Sequence, residues 1–145
     1  MFFKKKKLPL LAKENIVVGC KADTKETVIR TIGQMLVDGG YVGSDYIEGM
    51  IAREESFSTY MGNGLALPHG VEAVKKTIKS SGIAVMTFPE GTSWGEETAK
   101  VVIAIAGAGG EHLEILGNIA EKMMDEETIE KIVHGDVETV YSLLV

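Results

Sequence analysis

The run Val101-Val102-Ile103-Ala104-Ile105-Ala106 is apolar throughout, with no polar alternation. A strand with that pattern is covered on both faces. Gly82-Ile83-Ala84-Val85-Met86-Thr87-Phe88 reads as a second strand, closed by Pro89-Glu90-Gly91, with Trp94 in the loop beyond. Shorter strands are predicted over Glu14 to Val18, Thr59 to Met61 and Leu65 to Leu67, the last two joined by a Gly62-Asn63-Gly64 turn. Elsewhere the period becomes helical. Val28, Ile32, Met35 and Leu36 share one face, behind a capping-box-like start in which Asp23 caps and Glu26 reaches back; Gly39-Gly40 ends the helix. Ser44 caps a second helix, with Asp45 and Glu48 in its first turn and Ile47, Met50 and Ile51 inward, running out near Arg53 to Glu55. Val71 to Ser80 is polar and reads as irregular.

After the turn Gly107-Ala108-Gly109-Gly110, the residues Leu113, Leu116, Ala120 and Met123 mark a helix beginning near Glu111 or His112. Asp125 caps a helix containing Ile129, Ile132 and Val133, and Asp136 caps one containing Val137, Val140, Tyr141 and Leu144. Strands and helices interleave, with no internal repeat or linker. The pattern predicts one α/β domain over residues 1–145: three layers, a mixed β-sheet flanked by helices on both sides. Residues 1–13 are read as a mobile N-terminal extension.

Composition narrows the classes. A net charge of −6 leaves no basic excess to neutralise phosphates, which argues against a nucleic-acid module. The single cysteine, Cys20, excludes an intramolecular disulfide and Cys-rich zinc sites, fits a reducing compartment and reads as a small structural residue. The apolar run behind Lys4 to Lys7 covers only Leu8 to Ala12 and is broken by Pro9, whereas a secretory h-region needs about 7–15 apolar residues. No apolar run reaches the roughly 18 residues of a membrane span. A cytoplasmic location is expected.

The candidate chemistry centres on His69, between Pro68 and Gly70 at the end of a short apolar strand. Pro68 biases Leu67 toward an extended conformation, and Gly70 turns the chain without crowding the imidazole. His112 falls in the first turn of a helix after a buried strand and a glycine-rich turn, a place suited to anions. His134, near a helix C-terminus before Gly135, is assigned no role. Arg53 either pairs with its neighbouring carboxylates or turns its planar fork toward the histidine to receive phosphate oxygens. Glu54 and Glu55 are adjacent on a helix and diverge, which argues against one paired acid/base site. No serine or cysteine nucleophile motif supports a hydrolase.

The stretch from Arg53 to Gly70, with Ser58-Thr59-Tyr60-Met61-Gly62-Asn63-Gly64, Pro68-His69-Gly70 and then Glu111-His112-Leu113 in order, strongly resembles enzyme IIA components of the bacterial phosphoenolpyruvate:sugar phosphotransferase system, mannitol/fructose class. The resemblance runs from Asn15 to Leu144, and the Ser58 to Gly64 form is most similar to the mannitol members. Val71 stands where a small hydroxyl residue is common. The resemblance implies that His69 takes a phosphoryl group from the carrier protein HPr and passes it to a cysteine of a sugar-specific IIB domain of the membrane permease. Nε2 is then the nucleophile, with Nδ1–H donated to a backbone carbonyl, and Arg53 and His112 stabilise the phosphoryl group. It implies no cofactor or metal and no contact with the sugar. The alternative is a nitrogen-regulatory or fructose-type relative, a binding module switched by phosphorylation.

Overall fold

A mixed sheet organises the chain. The computed structural model describes residues 8–145, so the lysine run Lys4 to Lys7 lies outside the described residues. The strands are β1 (Ile16–Val17), β2 (Tyr60–Gly62), β3 (Leu65–Ala66), β4 (Gly82–Trp94) and β5 (Glu97–Ala106). Across the sheet they lie in the order β1-β4-β5-β3-β2. The β1–β4 and β3–β5 pairs are parallel; β4–β5 and β2–β3 are antiparallel. The helices are α1 (Lys25–Asp38), α2 (Asp45–Ser56), α3 (Glu111–Lys122), α4 (Glu126–Val133) and α5 (Val137–Leu144).

Strand alternation divides the core into two layers. Val102, Ala104 and Ala106 of β5, with Ala84 and Met86 of β4, join Ile29, Ile32 and Leu36 of α1 and Tyr46 and Met50 of α2. Val101, Ile103 and Ile105, with Ile83 and Val85, join Ile115 and Ile119 of α3, Ile129 and Ile132 of α4, and Val140 of α5. Helices thus cover both faces of a mixed sheet, as the interleaved pattern predicts. The alanines let the first helix pair lie close, and its larger side chains fill that layer.

The structure corrects several boundaries. Pro89-Glu90-Gly91 does not close the strand: β4 continues to Trp94 through a register shift between Thr87 and Thr92. A proline at such an irregularity costs no ladder hydrogen bond. Trp94, expected in a loop, is 1% exposed in the core and pairs with Glu97 across the Gly95-Glu96 turn. Thr24, not Asp23, caps α1, its hydroxyl accepting from Thr27 N–H at 3.1 Å; Glu26 does not reach back but pairs with Arg30. Ser44 stands at the N-cap of α2 without a side-chain capping bond. Tyr46 and Gly49 are buried on that helix, whereas Ile47 is half-buried. Residues 71–80, read as irregular, contain a 3-10 helix, Glu72–Thr77. On α3 the inward stripe is Ile115 and Ile119, while Leu113 is 77% exposed.

Residues 8–13 belong to the fold rather than to a loose extension. Leu11 is 3% exposed. Ile83 N–H donates to the Leu10 carbonyl at 2.9 Å, and Tyr41 O–H to the Pro9 carbonyl at 2.6 Å.

Candidate functional site

Beyond β3 the chain keeps following β5. Ile105 N–H donates to the Pro68 carbonyl at 3.0 Å, and His69 bridges to Ile105 in parallel register. This aligns His69 with the C-terminal end of β5, where the chain turns through Gly107 into α3. Tyr46 of α2 fastens the segment from the other side. Its buried O–H donates to the Ile105 carbonyl at 2.7 Å and its oxygen accepts from Gly70 N–H at 2.9 Å. Burial pushes this phenol up to about 12, so it stays protonated and able to donate. Gly70 leaves the room this requires: a Cβ there would stand 2.7 Å from Tyr46 Cε1 and 2.8 Å from Val74 Cγ2.

The imidazole of His69 is half-buried, and its Nδ1 lies 2.8 Å from the Leu67 carbonyl. A carbonyl oxygen only accepts, so Nδ1 carries the proton and the lone pair lies on Nε2. Burial is the largest influence on the ring's basicity and lowers its pKa from the ordinary 6.5; the charges of Arg53 and Lys75 lower it further, against the Leu67 bond and Glu54, which raise it. A lowered value keeps the ring neutral and nucleophilic near pH 7.

His112, in the first turn of α3, stands beside it, with ring centroids 4.8 Å apart and planes at 54°. The approach depends on Gly107, where a Cβ would come within 2.4 Å of His112 Cα. Ser81 secures the intervening loop: its Oγ accepts from Ala108 N–H at 2.9 Å and donates to the Glu111 carboxylate. Arg53, in the last turn of α2, donates from Nη1 to the Phe57 carbonyl at 2.6 Å. Arg53 lines the same cleft as His69 and His112.

The cleft encloses about 400 Å³ and is bordered by Arg53, His69, Lys75, Gly109, Gly110, His112 and Leu113. Three cationic or hydrogen-bonding side chains and a helix N-terminus surround one neutral imidazole, an arrangement suited to holding an anion against a nucleophile. Two contributors were not legible in the sequence. Lys75 arrives on the 3-10 helix, which packs so tightly on α2 that a Cβ at Gly49 would stand 2.1 Å from Val74 Cγ2. No spacing in the polar 71–80 stretch signals that return. Glu54 is the other, buried at 7% exposure and accepting from Thr59 N–H and Thr59 O–H at 2.6 Å each. Its placement after Arg53 was visible, but not its partner.

His134 lies away from the cleft, exposed and 3.3 Å from Glu130. Cys20 is half-buried, and burial pushes its thiol up, away from thiolate reactivity. Among the described residues no group of three His, Cys, Asp or Glu gathers as a metal site, and no helix is long and apolar enough to cross a membrane.

Residues 9–145 match the family model of the phosphoenolpyruvate-dependent sugar phosphotransferase system, EIIA 2. The mannitol-specific phosphotransferase enzyme IIA component of Bacillus subtilis (strain 168) is 48% identical over 132 residues, covering 90% of this chain and 92% of that protein. The crystal structure of IIA mannitol from Escherichia coli superposes with a TM-score of 0.86 at 38% identity, covering 92% of this chain and 98% of that one. A complex of enzyme IIAMTL with phosphorylated enzyme IIBMTL from the same organism gives a TM-score of 0.87 at 38% identity, over 93% of this chain and 98% of that one. The chain belongs to the EIIA type 2 family of the phosphoenolpyruvate-dependent sugar phosphotransferase system. Components of this class are phosphotransferases that carry phosphoryl groups.

Proposed function

We propose that this chain is a cytoplasmic phosphohistidine carrier that accepts a phosphoryl group from phospho-HPr on Nε2 of His69 and passes it to a mannitol-type IIB domain. The observation that carries the reading is the Nδ1 contact to the Leu67 carbonyl, 2.8 Å, inside a cleft shared with Arg53 and His112. It leaves one lone pair, on the ring nitrogen available to an electrophile.

In the first transfer the Nε2 lone pair forms a bond to phosphorus as the donor's N–P bond breaks, that bond's electron pair returning to the donor imidazole. Nδ1–H stays on the Leu67 carbonyl throughout, which stabilises the positive character the ring acquires. In the second, a IIB thiolate attacks phosphorus and the Nε2–P bond breaks, restoring the neutral ring. The carried group adds about −1.5 to −2 charges near neutral pH. The Arg53 fork and a donor from His112 meet that charge, and the start of α3 adds its dipole. Little covalent chemistry is left to the protein beyond alignment and charge stabilisation. No cofactor, metal, nucleic acid or sugar enters the scheme.

The likeness to mannitol-specific relatives and to a chain bound to phosphorylated IIB supports the assignment of the acceptor. The test mixes the chain, labelled through phosphoenolpyruvate, enzyme I and HPr, with a mannitol-type IIB domain. Label should move to the IIB cysteine. Retention of the label on this chain, with an active IIB, contradicts the assignment.

A further inference from the structure

Behind the cleft, a chain of hydrogen bonds ends on the imidazole. The carboxylate of Glu54, in the last turn of α2, accepts from Thr59 N–H at its Oε2 and from Thr59 O–H at its Oε1, both at 2.6 Å. The Thr59 carbonyl accepts from Leu67 N–H at 3.1 Å. The Leu67 carbonyl receives Nδ1–H of His69 at 2.8 Å. Glu54 and Thr59 are 7% and 4% exposed, and Leu67 is 1% exposed, so water does not compete along the path. A buried carboxylate is costly unless its oxygens are satisfied. Here two donors of one residue and Lys25, with Nζ 3.6 Å from Oε2, satisfy it, and Lys25 is itself held over the Trp94 ring, 5.4 Å from the centroid.

We infer that Glu54 is a positioning residue for His69: by clamping Thr59 it fixes the Leu67 carbonyl, and through that carbonyl it sets which ring nitrogen bears the lone pair. The inference rests on the carrier role proposed for His69. The hydrogen bond that a ring nitrogen makes to an acceptor fixes the proton on it, so a shift of the Leu67 carbonyl would release Nδ1–H and let the proton move to Nε2. Protonated Nε2 has no lone pair for phosphorus. The Thr59-to-Leu67 bond joins the Glu54 clamp to the segment carrying the histidine, next to the Tyr60–Ala66 pair of β2 and β3. Glu54 acts on the ring electrostatically as well, opposing Arg53 of the same helix and Lys75 of the 3-10 helix, with His112 of α3 on the far side.

The experiment compares the wild-type chain with Glu54→Gln, Glu54→Ala and Thr59→Val. It follows the His69 ring by nitrogen-15 NMR across pH and phosphoryl uptake from phospho-HPr. Glutamine keeps an acceptor for Thr59 N–H and loses the charge; the His69 titration midpoint should fall below that of the wild type while the Nδ1–H tautomer persists. Alanine loses the clamp. The ring should show mixed tautomers, and uptake should slow by about tenfold to a hundredfold, as expected for a misplaced reacting group. Thr59→Val, which keeps the N–H bond alone, should fall between them. A folded Glu54→Ala chain with the wild-type tautomer and rate overturns the inference. If that variant does not fold, a folded Thr59→Val chain with the wild-type tautomer and rate overturns it instead. Should the wild-type chain fail to take phosphate on His69, the carrier reading fails, while the ring's tautomer still reports on the clamp.

Discussion

At the residue scale, the chemistry assigned to His69 depends on its remaining neutral. Burial, Arg53 and Lys75 place its folded pKa below the ordinary 6.5. Phosphoryl uptake should therefore be level through neutral pH and decline only below the usual histidine midpoint; a decline centred above 6.5 would contradict the described environment. The sign carries over to stability. The folded state binds fewer protons at this ring than the unfolded chain does, so stability is lost as pH drops through 6.5 and levels off beneath the folded value. His69→Gln should lack that component of the acid slope in denaturant titrations at successive pH values. Arg53 is tested by geometry rather than charge. Losing one oriented donor to a developing charge costs on the order of 10²–10³ in rate, and lysine restores charge without the fork. Arg53→Lys should thus slow transfer by at least about tenfold, and a wild-type rate would leave Arg53 only its contact to the Phe57 carbonyl.

At the element scale, α2 and the end of β5 are joined through one phenol. Tyr46→Phe would leave Gly70 N–H and the Ile105 carbonyl without this partner in a buried setting, a loss of about 1–3 kcal/mol. Denaturant unfolding should register that destabilisation together with slower phosphoryl uptake; an unchanged midpoint would show that Tyr46 does not hold the segment. Gly70→Ala meets the same contact sterically and should cost about 1–3 kcal/mol. Most elements were legible because their periodicity is strong: the apolar run of β5, the α1 stripe, and the aspartate caps of α4 and α5, which accept from Glu127 and Thr139 N–H as their sequence suggests. Misreadings occur where a local signal is outweighed by packing. Pro89 looks like a terminator, but the bulge absorbs it and burial of Trp94 rewards a longer strand. Leu113 fits a helical stripe on paper, yet the sheet fixes α3 by Ile115 and Ile119 and turns Leu113 to the cleft.

At the scale of the whole molecule, the site is assembled from four separate pieces: the end of α2, the segment after β3, the 3-10 helix and the start of α3. In the sequence His69 and His112 stand out as candidates beside glycine turns and Arg53 at a helix end; that they line one cleft is a product of the β1-β4-β5-β3-β2 order, which no local pattern states. A carrier that serves two partners must release each quickly, favouring a small interface near or below about 1,200 Å². With a net charge of −6, this chain should attract the basic rim expected of HPr, gaining association rate more than affinity. Binding should fade with added salt, since screening at 0.15 M acts beyond about 8 Å. NMR titration with HPr should shift amides near His69, Arg53 and His112; shifts confined to Val137–Leu144 would contradict that docking. The most direct measurement is the position of the phosphoryl group itself. After incubation with phosphoenolpyruvate, enzyme I and HPr, the chain should carry one acid-labile, base-stable phosphate on Nε2 of His69, and His69→Ala should carry none. Persistent labelling of His69→Ala at His112 would contradict the account.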